Sequence, residues 1–266
     1  MACRLLRSIE ADMLVMIDAG LSSYELISGV LERDGQVLCR AHASRKWTPV
    51  KYLKDGSFLA WMAPSPSSKT PHAPAILVRI LPYTLDDENR PHHGLVQTLV
   101  TTLLDPDLFP AHDLIVLYHE RWEIELAIDE MDTHQRLANR PFRSLKPVGV
   151  LQEFYAFLIA YFLIRLIMLR TAEAQNIDPD RLSFTNSIHL IVDALPLFQL
   201  VSASDYPRLW HWLMDWISYF QLPARRDRSN PRVIKRQQSR FNRKHPQHLN
   251  PPQPSKPIRE AIVMLT

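Results

Sequence analysis

The apolar positions of this chain change their period three times, and each change marks a different kind of element. Residues 13–17, MLVMI, form a short continuous apolar run that predicts a strand. Residues 2–12, ACRLLRSIEAD, read as a helix tail leading into it. Asp18, Ala19 and Gly20 break the run as a loop, an amphipathic helix follows to Arg33, and Asp34–Gly35 turns the chain into a strand over 36–42. From 45 to about 110 the pattern shortens to brief strands and turns, among them Asp55–Gly56. Two loose loops interrupt this stretch, PSPSSKTPHAP at 64–74 and DDENRPHH at 86–93. From Ala111 to about Phe220 the spacing is almost wholly helical, with a break at 176–179. The expected class is therefore α/β, with a β-rich middle and a helical C-terminal part.

Composition narrows this further. A chain of 266 residues with 46% hydrophobic content suffices for one or two domains with a sizeable core. The longest apolar run, residues 154–164, is too short to span a bilayer and reads as a buried core helix. No charged start followed by an apolar stretch and a small-residue cleavage site is present, so a cytoplasmic protein with no membrane partner is expected. Cys3 and Cys39 lack CxxC or metal-ligand spacing and read as free thiols.

Candidate chemistry concentrates in residues 118–132, YHERWEIELAIDEMD. At helical spacing, Tyr118, Arg121, Glu125 and Asp132 share one stripe, with Leu117, Ile124, Ile128 and Met131 to one side. Two readings fit. One is a reactive stripe at the edge of a core, on a helix half buried through those apolar residues. The other is a charged surface face with an i,i+4 Arg121–Glu125 pair.

The spacing Tyr118, two residues, Arg121, three residues, Glu125 resembles the signature of DDE transposases of the insertion-sequence-four type. So do VMIDAGLSSYELI at 15–27, the run from Gly94 into the glutamate helix, PVGVLQEFYAFLIAYFLIRLIMLR at 147–170 and NPRVIKR at 230–236. The resemblance covers about residues 1–245. It implies a partial ribonuclease-H-like core over 1–44 carrying the family's second aspartate, Asp18. It also implies a β-rich insertion over 45–110, the glutamate helix and core helices over 111–175, a helical subdomain over 176–222 and a basic, Pro-rich tail over 223–266. Asp18 and Glu125 would be catalytic carboxylates and ligands for Mg²⁺. Tyr118, Arg121 and Asp132 would be the supporting motif.

Phosphodiester cleavage and strand transfer suit such residues, because converging carboxylates hold divalent ions that stabilise the attacking and leaving oxygens. Two departures stand against the pattern. The family's first aspartate has no counterpart among the 17 residues before Asp18, since Asp12 lies at the mouth of the same strand. Asp132 stands where the family has a lysine, which would set like charge against DNA phosphate. The expectation is a truncated copy, inactive alone, with an alternative role as a non-catalytic DNA-binding remnant or regulator. The implied partners are DNA at transposon ends, a second copy in a homodimer, or an intact transposase in a heterodimer.

Charge adds a DNA-binding candidate. Arg225, Arg226, Arg228, Arg232, Lys235, Arg236, Arg240, Arg243 and Lys244 form a run of nine cations against one acid, Asp227, in a chain of net charge +3. Such a run supplies salt-sensitive affinity for phosphate, or else it is a solvated tail. His119 and His134 have no partners spaced for zinc, and WHWLMDW at 210–216 reads as helix packing or as a base-stacking platform.

Overall fold

The computed structural model describes residues 2–42, 45–65, 71–136, 141–222 and 252–265. They belong to two compact units, Met1–Arg121 with Ser229–Thr266, and Trp122–Arg228.

The first unit is built on one seven-stranded mixed sheet. Its strands are β1 (Leu14–Ile17), β2 (Gln36–Arg40), β3 (Lys51–Tyr52), β4 (Phe58–Met62), β5 (Ile76–Leu85), β6 (Gln97–Thr101) and β7 (Ile262–Met264). The order is β1-β2-β6-β5-β4-β3, with β7 paired to β5. Only β1 and β2 are parallel, and α1 (Tyr24–Leu31) connects them. The strand following Asp34–Gly35 is β2, as the turn signal predicts. The short strands between 45 and 110 extend this same sheet.

Continuous rather than alternating apolar runs follow from cover on both faces. On one face Val37, Cys39, Val78, Ile80 and Val100 pack with Tyr24, Ile27 and Val30 of α1. On the other, Leu38, Leu81, Tyr83 and Leu99 pack with Leu114, Ile115 and Tyr118 of α2 (Ala111–His119). Ser23 caps α1, its hydroxyl accepting from the Leu26 N–H at 3.2 Å. Thr101 is fully buried at the end of β6, where its hydroxyl donates to the Val37 carbonyl at 2.7 Å.

The C-terminal segment contradicts its Pro-rich appearance. Residues 252–265 return to the sheet, adding α7 (Ile258–Ala261) and β7. The buried Asp87 anchors them, accepting from the Ser255 N–H and hydroxyl at 3.0 Å each. Burial opposes the ionisation of Asp87, but the Ser255, Asn89 and Lys256 hydrogen bonds outweigh it and hold the carboxyl below its usual range.

The second unit is helical: α3 (Glu123–Asp129), a π-helical turn (Glu130–Gln135), α4 (Pro147–Gln175), α5 (Phe184–Leu200) and α6 (Tyr206–Tyr219). Asn176, left-handed at φ 52°, ends α4 where the chain was expected to break. Ile164, Met168, Leu182, Phe184, Leu213 and Ile217 form the unit's core. The WHWLMDW stretch falls on α6, with Leu213 and Met214 buried, Trp210 packed on the core, and Trp212 and Trp216 exposed.

The expectation of a buried helix at 154–164 fails. Only Ile164, Met168, Thr171 and Ala172 of α4 are buried, while Phe154, Tyr155, Ile159, Phe162 and Leu163 are exposed. The apolar residues run round the whole helix, and within this unit the core reaches only its C-terminal half. The eleven-residue run thus sits inside a 29-residue helix that is long and apolar enough, by length and composition, to cross a membrane.

Candidate functional site

Asp18 leaves the carboxyl end of β1 at the point where that strand stops. It precedes a 3₁₀ turn (Ala19–Leu21), but its side chain makes no capping hydrogen bond and is 59% exposed. Its carboxylate is therefore presented to solvent rather than consumed by local structure.

Two residues of the second motif close on this point. The Tyr118 hydroxyl donates to the Ile17 carbonyl at 3.2 Å, tying the end of α2 to the residue before Asp18. Arg121 lies 4.0 Å from Asp18 Oδ1, and its guanidinium sits 5.8 Å from the centre of the Tyr118 ring. Burial is the main cause that pushes the Tyr118 hydroxyl up from its usual range; Asp18 adds to it and Arg121 opposes it. Tyr118 is thus a neutral donor at pH 7.

The remaining motif residues lie in the second unit. Glu125 is exposed on α3. Asp132, also exposed, accepts a 3.1 Å hydrogen bond from Arg136 in an i,i+4 pair. The helical angles drawn from the sequence assume one regular α-helix. After His119 the helix tightens to a 3₁₀ turn at Glu120–Trp122, and after Asp129 it widens to the π-helical turn, so no constant angle per residue applies. The expected burial of the stripe's flank fails: Ile124 and Ile128 are exposed and α3 buries nothing.

Sequence reasoning missed a second group of polar residues beneath the sheet's faces. The Tyr83 hydroxyl donates to Gln97 Oε1 at 3.3 Å and lies 3.3 Å from His119 Nε2. Burial chiefly lowers the His119 ring to about 4, with Arg90 and Arg40 adding to the effect. His119 is therefore a neutral, packed side chain. Burial likewise lifts the Cys39 thiol to about 12, which leaves it unreactive at neutral pH. In the second unit the buried Glu130 pairs with Arg165 at 3.2 Å and accepts from the Tyr161 hydroxyl at 3.0 Å. A charge inside an apolar run was the available signal for such groups, as with Arg79 in ILVRILPYTL.

Comparison with known proteins bears on this geometry. The model of a family described as Transposase DDE domain matches residues 1–163. The chain belongs to the DDE transposase family. Transposase InsG for insertion sequence element IS4, from Escherichia coli (strain K12), is 36% identical over 143 residues, which are 53% of this chain and 32% of that protein. The chain thus spans about a third of the length of the curated relative it matches. The DDE transposase match bears out the resemblance drawn from the Tyr–Arg–Glu spacing and the segment around Asp18, and the mixed α/β architecture agrees with it.

Membership in the DDE transposases implies use of a divalent metal. Yet among the described residues no three His, Cys, Asp or Glu side chains come together as a group able to hold an ion. A cation at Asp18 would also meet the Arg121 guanidinium. The residues present do not by themselves fit a bound divalent ion. The nine cations from Arg225 to Lys244 lie outside the described residues.

Proposed function

We propose that this DDE transposase chain serves DNA transposition, contributing Asp18 and Glu125 as two carboxylates toward Mg²⁺. The supporting observation is the exposed Asp18 at a strand end, with Tyr118 and Arg121 drawn against it from a distant part of the chain. Arg121 would hold a strand phosphate beside Asp18, and the run from Arg225 to Lys244 would add sequence-independent affinity. The whole assembly, with transposon ends bound and a second copy or an intact transposase as partner, would carry cleavage and strand transfer.

A second reading, a non-catalytic DNA-binding protein that regulates an intact transposase, is favoured by the exposed Asp132 in the position where the family has a lysine. The two separate in one experiment. The purified chain is titrated with duplex DNA across a salt series, then incubated with Mg²⁺ and DNA bearing transposon ends, alone and with an intact transposase. Both readings expect salt-dependent binding without cleavage by the chain alone. Cleavage restored to an intact partner disabled at its own glutamate supports the catalytic reading; inhibition of an active partner supports the regulatory one. Absence of DNA binding at low salt would sink both.

Asp132→Lys tests the supporting motif. Removing a negative charge and adding a positive one is expected to tighten DNA binding by roughly threefold to tenfold and to steepen the salt dependence by about one phosphate's worth. Unchanged affinity across the salt series would count against phosphate contact at this position.

A further inference from the structure

Helix α4 carries two apolar faces, and the core of its unit uses one of them. At 100° per residue, the buried Ile164, Met168, Thr171 and Ala172 fall within about 100° of arc. Val148, Leu151, Tyr155, Ile159, Phe162 and Leu169 fall on the opposite side, within about 80° of arc. All six are exposed, Tyr155 by 61% and Phe162 by 63%. The half-buried Leu166 lies on the same line. These seven positions recur about every 3.5 residues, the period of a seam between two helices. From Val148 to Leu169 the seam runs for about 32 Å. A continuous exposed row of such side chains marks a surface that another body covers.

A lipid bilayer is one candidate, since α4 has the length and composition of a membrane span. The opposite face argues against it. Threading α4 through a bilayer would pull Ile164, Met168 and Ala172 away from Leu182, Phe184 and Leu213, with which they form the core. Arg165, paired with the buried Glu130, would enter the hydrocarbon as well.

The spacing itself selects the partner, because the seven positions read nearly the same in both directions. Laying a second α4 antiparallel against the first, about a point between Leu158 and Ile159, sets Val148 against Leu169, Leu151 against Leu166 and Tyr155 against Phe162. Each pair then occurs twice, as a two-fold interface requires. The exposed Glu173 lies on the same line one turn beyond Leu169, and the antiparallel arrangement carries it to the exposed Arg143 and Lys146 of the other copy. A parallel pair would set Glu173 beside Glu173 and align the two helix dipoles.

We propose that α4 is a self-association surface, along which two copies of this chain pair antiparallel through the stripe from Val148 to Leu169. The pairing rests on α4 alone and holds whether or not the chain cleaves DNA.

Analytical ultracentrifugation of the full chain is expected to show a monomer–dimer equilibrium in roughly the micromolar range, since a single helix seam lies at the small end of specific interfaces. Tyr155→Glu and Phe162→Glu, with folding checked by circular dichroism, are expected to weaken dimerisation by more than about tenfold. Leu200→Glu, which charges an 83% exposed apolar residue of α5 instead, is expected to leave it unchanged. Register is read with a short thiol cross-linker in a Cys3→Ser background, Cys39 being buried. Ile159→Cys, next to the two-fold axis, is expected to cross-link to itself, whereas Val148→Cys is expected to cross-link to Leu169→Cys and not to itself. A chain that stays monomeric at about 100 μM, or a dimer weakened equally by Leu200→Glu, would overturn the surface. Cross-linking of Val148→Cys to itself would overturn the antiparallel pairing. A monomer that binds phosphatidylcholine vesicles, and loses that binding in Tyr155→Glu and Phe162→Glu, would give the stripe to lipid instead.

Discussion

Asp55→Ala is expected to lower the stability of the first unit by about 3–5 kcal/mol, the range for breaking a buried ion pair from one side. Arg79 is the reason. It sits in the middle of β5 with none of its surface exposed, and its guanidinium is held by Asp55, by the Ser57 hydroxyl at 2.8 Å and by the Phe109 carbonyl at 2.7 Å. Asp55 also accepts from the Ser57 hydroxyl at 2.5 Å and from the Ala111 N–H at 3.0 Å, so one carboxylate joins the turn at Gly56, the sheet and the first residue of α2. Without it the cation remains buried and uncompensated. A urea titration followed by circular dichroism measures the loss; a shift below about 1 kcal/mol would show that Arg79 finds other partners. Joint replacement, Asp55→Ala with Arg79→Met, is expected to cost less than Asp55→Ala alone.

The same carboxylate makes the unit acid-sensitive. Burial opposes ionisation of Asp55, but its hydrogen bonds from Ser57 and Ala111 and the Arg79 charge prevail and hold it below its ordinary 3.8. A depressed carboxyl contributes stability above the unfolded value, and that contribution is lost as pH falls below about 3.8 toward the folded value.

A second acid-sensitive group acts at milder pH. His119, lowered from 6.5 to about 4 by burial and by Arg90 and Arg40, binds a proton more readily in the unfolded chain than in the folded one. Its neutral form is the one the fold accepts, so stability is highest above pH 6.5 and declines as pH falls toward 4. The expected loss is roughly 2 kcal/mol by pH 5, since each unit of difference is worth about 1.4 kcal/mol. His119→Phe keeps the ring and removes the titration. The difference between wild type and variant, taken from urea midpoints at pH 7.5 and pH 5, isolates this one group. Equal acid sensitivity in the two proteins would assign the loss elsewhere.

Much of the family's signature was legible because it is written in short, local spacings. MLVMI followed by Asp18 marks a strand and its end, and Asp34–Gly35 marks the turn into the next strand. Tyr118, Arg121 and Glu125 carry the transposase pattern whatever the backbone does between them. What misled was the assumption of one unbroken helix through 118–132. The 3₁₀ and π-helical turns that interrupt it leave no mark in the periodicity, so Ile124 and Ile128 were expected to be covered and are not. A similar limit applies to α4. Apolar content alone does not say which part of a helix is buried, and here only its C-terminal half is.

By itself the sequence determined where the first strands and the long helices lie, where the principal turns fall and which family the chain joins, since all of these depend on residues within a few positions of one another. Tertiary structure decided the rest. The pairing of β5 with β6, β4 and the C-terminal β7, the burial of Arg79 over Asp55 and the meeting of Tyr118 and Arg121 with Asp18 all join residues far apart in the chain. Their partners are chosen by strand register and by the need to satisfy buried charges and N–H groups, and neither quantity exists until the sheet has formed.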